Sequence, residues 1–399
     1  TGAGILLLRV EALQCVRAPR AQGIMLSVAT ALDDGRVLLT GGVERFSSGD
    51  CEGCRWGIAS RSATLYDPVT GSFKATAALP NARVGHAATR LDDGRVLVVG
   101  GTNRIRLGGA QAIDLGGSGL RDTAAIFDPQ TERWIETSAP WGKRAFHSLT
   151  TVAPDTIIAA GGFAEDDRIH ADLIRFHVIG ETLSVDEAPL SLACPRVGHQ
   201  AFVYDGELIL WGGSRCESVE QVAPEHWSPR AGLRVSRADR WGSEANLSFA
   251  SSVELNQGTF MIVGGATYRD GVLQTPNREN SYYYLASSET HVRAAILPEG
   301  TQGLLGSALR LSQGKRMILA GGFADLALNE PRHAYTIFAD ESETFSPPGQ
   351  LPGLSGGLSL AAAGANQALF VGGAKACQSC DGGLETLVGG TVFASSEDH

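Results

Sequence analysis

RVGHAATRLDDGRVLVVGG, residues 83–101, is followed after a polar interval by AAIFDPQTERW, residues 124–134. Two apolar segments, Gly85–Leu91 and Arg95–Val99, flank Asp92-Asp93-Gly94, and Asp-Gly between such segments predicts a tight hairpin. Gly100-Gly101 ends the second segment. A third strand over Ala124–Phe127, a turn at Asp128-Pro129-Gln130-Thr131 and a short fourth strand at Arg133-Trp134 complete a four-stranded unit. Proline at the second turn position arrives with its φ already set, and the preceding aspartate can bond the turn backbone.

The unit repeats along the chain. Gly-Gly pairs begin at residues 41, 100, 161, 212, 264, 321 and 372, at steps of 59, 61, 51, 52, 57 and 51 residues. Each follows a β-type segment: Arg36–Thr40, Arg95–Val99, Thr156–Ala160, Glu207–Trp211, Thr259–Val263, Arg316–Ala320 and Gln367–Val371. Asp67-Pro68-Val69-Thr70-Gly71 repeats the second turn between Ala63–Tyr66 and Ser72-Phe73. Four short strands at a period of about fifty residues is the pattern of a β-propeller blade. Seven pairs predict an all-β, seven-bladed propeller occupying residues 1–399 as one domain. A strand leaving a crowded inner sheet must turn where a neighbouring blade leaves no room for Cβ, which accounts for the glycines.

These residues resemble the kelch repeat in its bacterial, galactose-oxidase-like form. The resemblance covers nearly the whole chain and is strongest in the first two units, with Arg83-Val84-Gly85-His86, the Gly-Gly pair, the Asp-Pro turn and Trp134. It fades in units five to seven, where the Arg-x-x-His element is missing. The last unit offers first, second and third strands near Leu358–Ala362, Leu369–Val371 and Gly390–Ala394, but no fourth. The apolar segment Ile5–Leu13 has no place in the first unit, so it is expected to supply that outer strand and close the ring, as kelch propellers commonly do. The competing expectation is a disordered leader.

Composition narrows the function. With 33 basic against 43 acidic side chains the net charge is −10, and no basic run suggests a nucleic-acid partner. Hydrophobic residues at 43% suffice for a large core. The apolar stretch Ile5–Leu8 is too short for a membrane span or signal-peptide core. Thr1 is not an initiator methionine, which leaves room for a leader or larger precursor, and export is expected if there is one.

Alternating strand direction puts the loops after second strands on one face. Those loops are long, roughly Val43–Ser60, Thr102–Asp122, Ser214–Ala231 and Ala266–Asn280, whereas the turns of the opposite face are short. They carry Trp56, Trp227, Tyr268, Arg104, Arg106, Arg215, Arg230 and Arg269, and aromatic and arginine side chains are the usual anchors of interfaces. The expected role is a rigid recognition platform for a protein or glycan, on a secreted, cell-surface or periplasmic protein. The channel mouth is the second candidate: Arg83/His86, Arg144/His147 and Arg196/His199 repeat one spacing at three consecutive inner strands. Three converging guanidiniums could hold a carboxylate or sulfate, or the same residues could serve a carbohydrate-modifying, epimerase- or oxidase-like enzyme. They also belong to the kelch pattern itself, where they bond neighbouring loops and backbone. No catalytic pair stands out, and Tyr282–Tyr284 lack the nearby cysteine that copper-radical chemistry requires.

Seven cysteines all map to the long-loop face. Cys194 and Cys216 are placed for a disulfide stapling the 214–231 loop. Cys51/Cys54 and Cys377/Cys380 form C-x-x-C pairs in neighbouring blades, with Cys15 in the connector between them. The two pairs are expected either as disulfides of an exported protein or as a structural zinc site with four cysteine ligands. Apart from that zinc, no cofactor is implied.

Overall fold

A computed structural model describes residues 14–16, 24–51, 54–108, 113–115, 119–216, 223–236, 246–269, 271–311, 316–351, 356–363, 367–376, 384–386 and 390–394. The described structure is all-β apart from a 3-10 turn at Glu165–Asp167, and none of its helical segments is long and apolar enough to cross a membrane. Its many antiparallel, mostly four-stranded sheets are consistent with a β-propeller.

Seven of the sheets each contain one strand that runs into a Gly-Gly pair. In chain order we call them sheets 1 to 7. Sheet 1 pairs Val28–Ala31, Val37–Thr40, Ala63–Asp67 and Ser72–Ala75, and sheet 2 pairs Ala87–Arg90, Val96–Val99, Thr123–Asp128 and Arg133–Ser138, each in that order. From sheet 3 onward the Gly-Gly strand spans the residues expected from sequence. In sheets 1 and 2 it starts one residue late, because Arg36 and Arg95 donate their backbone N–H to Asp34 and Asp93 at 3.0 Å and so belong to the turn. The Asp-Pro turns form as expected: Asp67 accepts from the Val69 N–H and Asp128 from the Gln130 N–H, both at 2.8 Å.

The Gly-Gly strands Val37–Thr40 and Val96–Val99 are buried at every position because both faces of each sheet are covered. Leu38 and Leu65 of sheet 1 pack with Val96, Val98 and Phe127 of sheet 2. Comparable apolar layers lie between each later sheet and the next, and Ala361, Leu369 and Val371 of sheet 7 pack with Val37, Leu39 and Tyr66 of sheet 1.

The glycine pairs tie these sheets together. Gly101 donates its N–H to the Arg144 carbonyl at 2.8 Å, and the same bond runs from Gly42 to Arg83, Gly162 to Arg196, Gly213 to Leu247, Gly265 to Gly303 and Gly373 to Ile24. Gly100 has φ +65°, and a Cβ there would lie 2.5 Å from the Arg144 carbonyl oxygen. Only glycine meets both conditions. First strands are also bonded in succession, as in Thr89 to Thr151, Gln200 to the Ala250 carbonyl, Ser251 to the Gly306 carbonyl, Ser307 to the Leu358 carbonyl and Ser359 to the Ser27 carbonyl.

Two expectations change. Ile5–Leu13 lies outside the described residues; the strand that completes sheet 7 is Gln14–Val16, antiparallel to Gly390–Ala394. Cys15 therefore sits within a strand opposite Thr391, and not in a connector. The intervals after the second strands are also largely not irregular loops. Val43–Ser48 and Arg55–Ala59 form a hairpin, joined by Arg104–Leu107 and Ile113–Asp114 of the next interval into a separate four-stranded sheet. Further hairpins form at Ala266–Arg269/Val272–Leu273 and Ala374–Ala376/Leu384–Thr386. Chain laid across the end of a core must satisfy its backbone donors and acceptors, and pairing with itself does so.

Candidate functional site

The separate sheet has two unlike faces because its residues alternate. Phe46, Arg55, Ala59, Ile105, Leu107 and Ile113 are buried, whereas Trp56, Ile58, Arg104 and Arg106 are half-buried and Arg45 is exposed. Gly57 sits where a Cβ would come within 3.1 Å of Ile105 and Val43. The buried side joins an apolar cluster drawn from all seven repeats, including Met25, Val84, Ala145, Val197, Phe249, Leu304, Phe323 and Ala374. Arg55 reaches across this cluster to the Leu328 carbonyl and the Asn329 side chain of the sixth repeat. The hairpins thus form a roof over the end of the molecule where the first strands begin.

The outer side of the roof presents two cross-strand rows. One is Arg45–Ile58–Arg104 and the other Ser47–Trp56–Arg106–Asp114. The Arg104 guanidinium carbon lies 4.2 Å from the Trp56 ring centroid, a cation–π arrangement. Arg106 approaches Asp50 at 3.5 Å. Of the loop-face anchors expected from sequence, Trp56, Arg104 and Arg106 are brought together here. Arg45 and Ile58 were missed. Alternation is confined to Arg55–Ala59, where Trp56 and Ile58 stand between buried Arg55, Gly57 and Ala59, and it would have marked Ile58 but not Arg45.

The other loop candidates separate. Trp227 is 3% exposed within the third strand of sheet 4, Glu225–Ser228, packed among Ile158, Leu173 and Leu208. It is a core residue, since a large apolar ring in a strand covered on both faces has no route to solvent. Arg230 lies in the turn between Glu225–Ser228 and Gly232–Val235, on the opposite, short-turn face. Tyr268 stays on the roof side but is packed under Arg215, whose guanidinium carbon is 4.3 Å from the ring centroid. Burial lowers the Arg215 pKa to about 10.

Arg83, Arg144 and Arg196 are each 0% exposed. Arg83 donates to the Gly100 and Thr123 carbonyls at 2.8 and 2.9 Å. Arg144 donates to the Gly161 carbonyl and, through both terminal nitrogens, to Asp172. Arg196 donates to Glu225 and to the Gly212 and Ala223 carbonyls at 2.6–2.9 Å. Each arginine therefore holds its own Gly-Gly turn by its side chain and the preceding turn by its carbonyl. As placed, the three guanidiniums are buried and their terminal nitrogens bond carbonyls, the Thr123 hydroxyl and the Asp172 carboxylate within the protein. The Arg83 pKa is lowered to about 10 by burial and then by Arg121.

The histidines are buried with them. His86 is 2.9 Å from the Thr40 hydroxyl and His199 is 2.9 Å from that of Ser148. Burial first, and the adjacent arginine second, lowers the pKa of His86 and His199 to about 3 and pushes His147 well below its usual value. All three are neutral near pH 7 and lie beneath the roof.

Two disulfides are present among the described residues. Cys194 joins Cys216 with Cα atoms 5.7 Å apart, as expected from sequence. Cys51 joins Cys54 across the tip of the first roof hairpin with Cα atoms 5.1 Å apart, so this pair closes locally and does not cross to the last repeat. A bonded pair offers no thiolate to a shared zinc site. Cys377 and Cys380 lie outside the described residues, although the hairpin strand Leu384–Thr386 that follows them lies beside Val43–Ser48.

No family model matches the chain. Over part of its length it is similar to kelch-like proteins. It is 32% identical over 100 residues to Kelch-like protein terF of Aspergillus terreus, covering 25% of this chain and 20% of that protein. It is 30% identical over 143 residues to Putative adagio-like protein 2 of Oryza sativa subsp. japonica, covering 35% of this chain and 21% of the relative. The chain thus spans about a fifth of the length of these curated relatives.

Proposed function

We propose that the chain is a kelch-repeat propeller of seven blades, closed by Gln14–Val16 in the seventh, that serves as a non-catalytic scaffold recognising a partner protein through its roof. The similarity to kelch-like proteins supports the repeat assignment, and the contact of sheet 7 with sheet 1 supports closure. Both disulfides fit an oxidising, exported setting.

The observation that carries the recognition reading is the roof itself. It covers the arginines and histidines that a channel-mouth enzyme would use, while presenting Arg45, Trp56, Ile58, Arg104 and Arg106 outward. A rigid, hydrogen-bonded surface bearing aromatic and arginine side chains suits protein recognition. A glycan is less well served, because Arg104 already covers the Trp56 ring on which a sugar would stack.

Quantitative capture from the source organism, comparing wild type, Trp56→Ala with Arg106→Ala, and Arg230→Ala, tests this reading. A protein set kept by Arg230→Ala and lost by the roof variant is expected. Unchanged capture by the roof variant, or turnover of a sugar that Arg144→Ala abolishes while remaining folded, would overturn it.

A further inference from the structure

We propose that the outward side of the roof sheet is a docking surface for an extended, carboxylate-rich segment of a partner protein. This rests on the scaffold reading above and specifies the chemistry the roof selects. The chain carries a net charge of −10, yet three arginines gather on one side of this single small sheet. Among the described residues Arg45 and Arg104 form no ion pair, whereas Arg106 has Asp50 at 3.5 Å and is paired in register with Asp114, so the selective charge is that of Arg45 and Arg104. A cluster that runs against the charge of the whole molecule focuses a local positive potential and attracts the complementary sign.

The arrangement is ordered as well as charged. Arg45 and Arg104 flank Ile58 from strands on either side, so their backbones are about 10 Å apart, the span of about three residues of extended chain. Ile58 between them gives an apolar contact, which matches a segment mixing carboxylates with aliphatic side chains. Trp56 holds the Arg104 guanidinium by one face, leaving its edge donors to meet a carboxylate. The disulfide across the hairpin tip restrains Ser47 and Trp56 before any partner arrives. An anionic glycan shares the charge, but the Trp56 ring is already covered, so a peptide fits better.

Fluorescence anisotropy with a dye-labelled octapeptide of alternating glutamate and valine tests the proposal on the full, disulfide-intact chain, with the alternating lysine–valine peptide and a heparin-derived hexasaccharide as the other arms. The acidic peptide is expected to bind more weakly as salt rises, with affinity falling at least tenfold in Arg45→Glu/Arg104→Glu and unchanged in Arg230→Glu. Arg45→Glu alone, at an exposed site, is expected to give an intermediate loss and guards against misfolding of the double variant. No binding of the acidic peptide, equal binding of the lysine peptide, or indifference to both substitutions would overturn the proposal. So would roof-dependent binding of the hexasaccharide in preference to the peptide, which would make the ligand a glycan. If a partner capture that depends on Trp56 persists while the acidic peptide fails to bind, the scaffold reading stands and the acidic segment falls.

Discussion

Arg144 has the side chain and the repeated spacing of a ligand clamp, yet its guanidinium is 0% exposed and shared between Asp172 and the Gly161 carbonyl. Truncating Arg144 leaves Asp172, 26% exposed, open to water. It also opens a cavity and takes the buried donor from the Gly161 carbonyl, a loss of about 1–3 kcal/mol for that carbonyl alone. Arg144→Ala is therefore expected to lower the urea midpoint strongly, and a midpoint within error of wild type would contradict the structural role. His199 makes a prediction about pH. Its folded pKa of about 3 lies below the unfolded value near 6.5, so the unfolded chain binds the proton first. Stability from this group is full above about pH 6.5 and is lost as pH falls toward 3, by about 2 kcal/mol at pH 5. His199→Gln should lose correspondingly less stability than wild type between pH 7 and 5, and parallel losses would refute the assignment. The spacing of Arg83, Arg144 and Arg196 was legible in the sequence, but their burial was not. An arginine that holds a carbonyl and one that awaits a ligand have the same sequence, and only the tertiary position of the next Gly-Gly turn separates them.

Strands were legible where turn chemistry and apolar runs agreed, as in Thr156–Ala160 and Glu207–Trp211. Residues 43–59 and 104–107 read as loop because they follow glycine pairs and are broken by Gly49, Gly53 and polar residues. Their pairing joins two different repeats, so no single repeat displays it. Trp227 was misplaced for a related reason: the third strand of sheet 4 starts late, at Glu225, after a long polar interval. At the scale of the elements, the Gly-Gly turns predict a sharp contrast. Gly100→Ala adds a Cβ 2.5 Å from a backbone oxygen at φ +65°, whereas Gly71→Ala, at φ +64°, meets nothing within 4 Å. Gly71→Ala should cost only about 1–2 kcal/mol for its left-handed backbone. Gly100→Ala should cost clearly more, and thermal melts showing equal losses would contradict the close approach between sheets. The Cys194–Cys216 bond, with a sequence separation of 22, is expected to contribute about 2–4 kcal/mol, read as a lower melting temperature for the Cys194→Ser/Cys216→Ser variant.

In the molecule as a whole, each sheet covers the next, glycine N–H groups bond the following repeat, and the roof seals one end with an apolar cluster drawn from every repeat. The periodic glycines made this architecture legible, while the roof arises from contacts between repeats far apart in sequence, such as Arg55 with Asn329. On this account a partner docks on the roof and leaves the space between the first strands untouched. Hydrogen–deuterium exchange of the chain with and without its captured partner protein tests that claim most directly. Protection is predicted over residues 43–48, 55–59 and 104–107, with no change in the short turns at 67–72 and 128–133. Protection confined to those turns, or to the first strands with the roof unaltered, would contradict it.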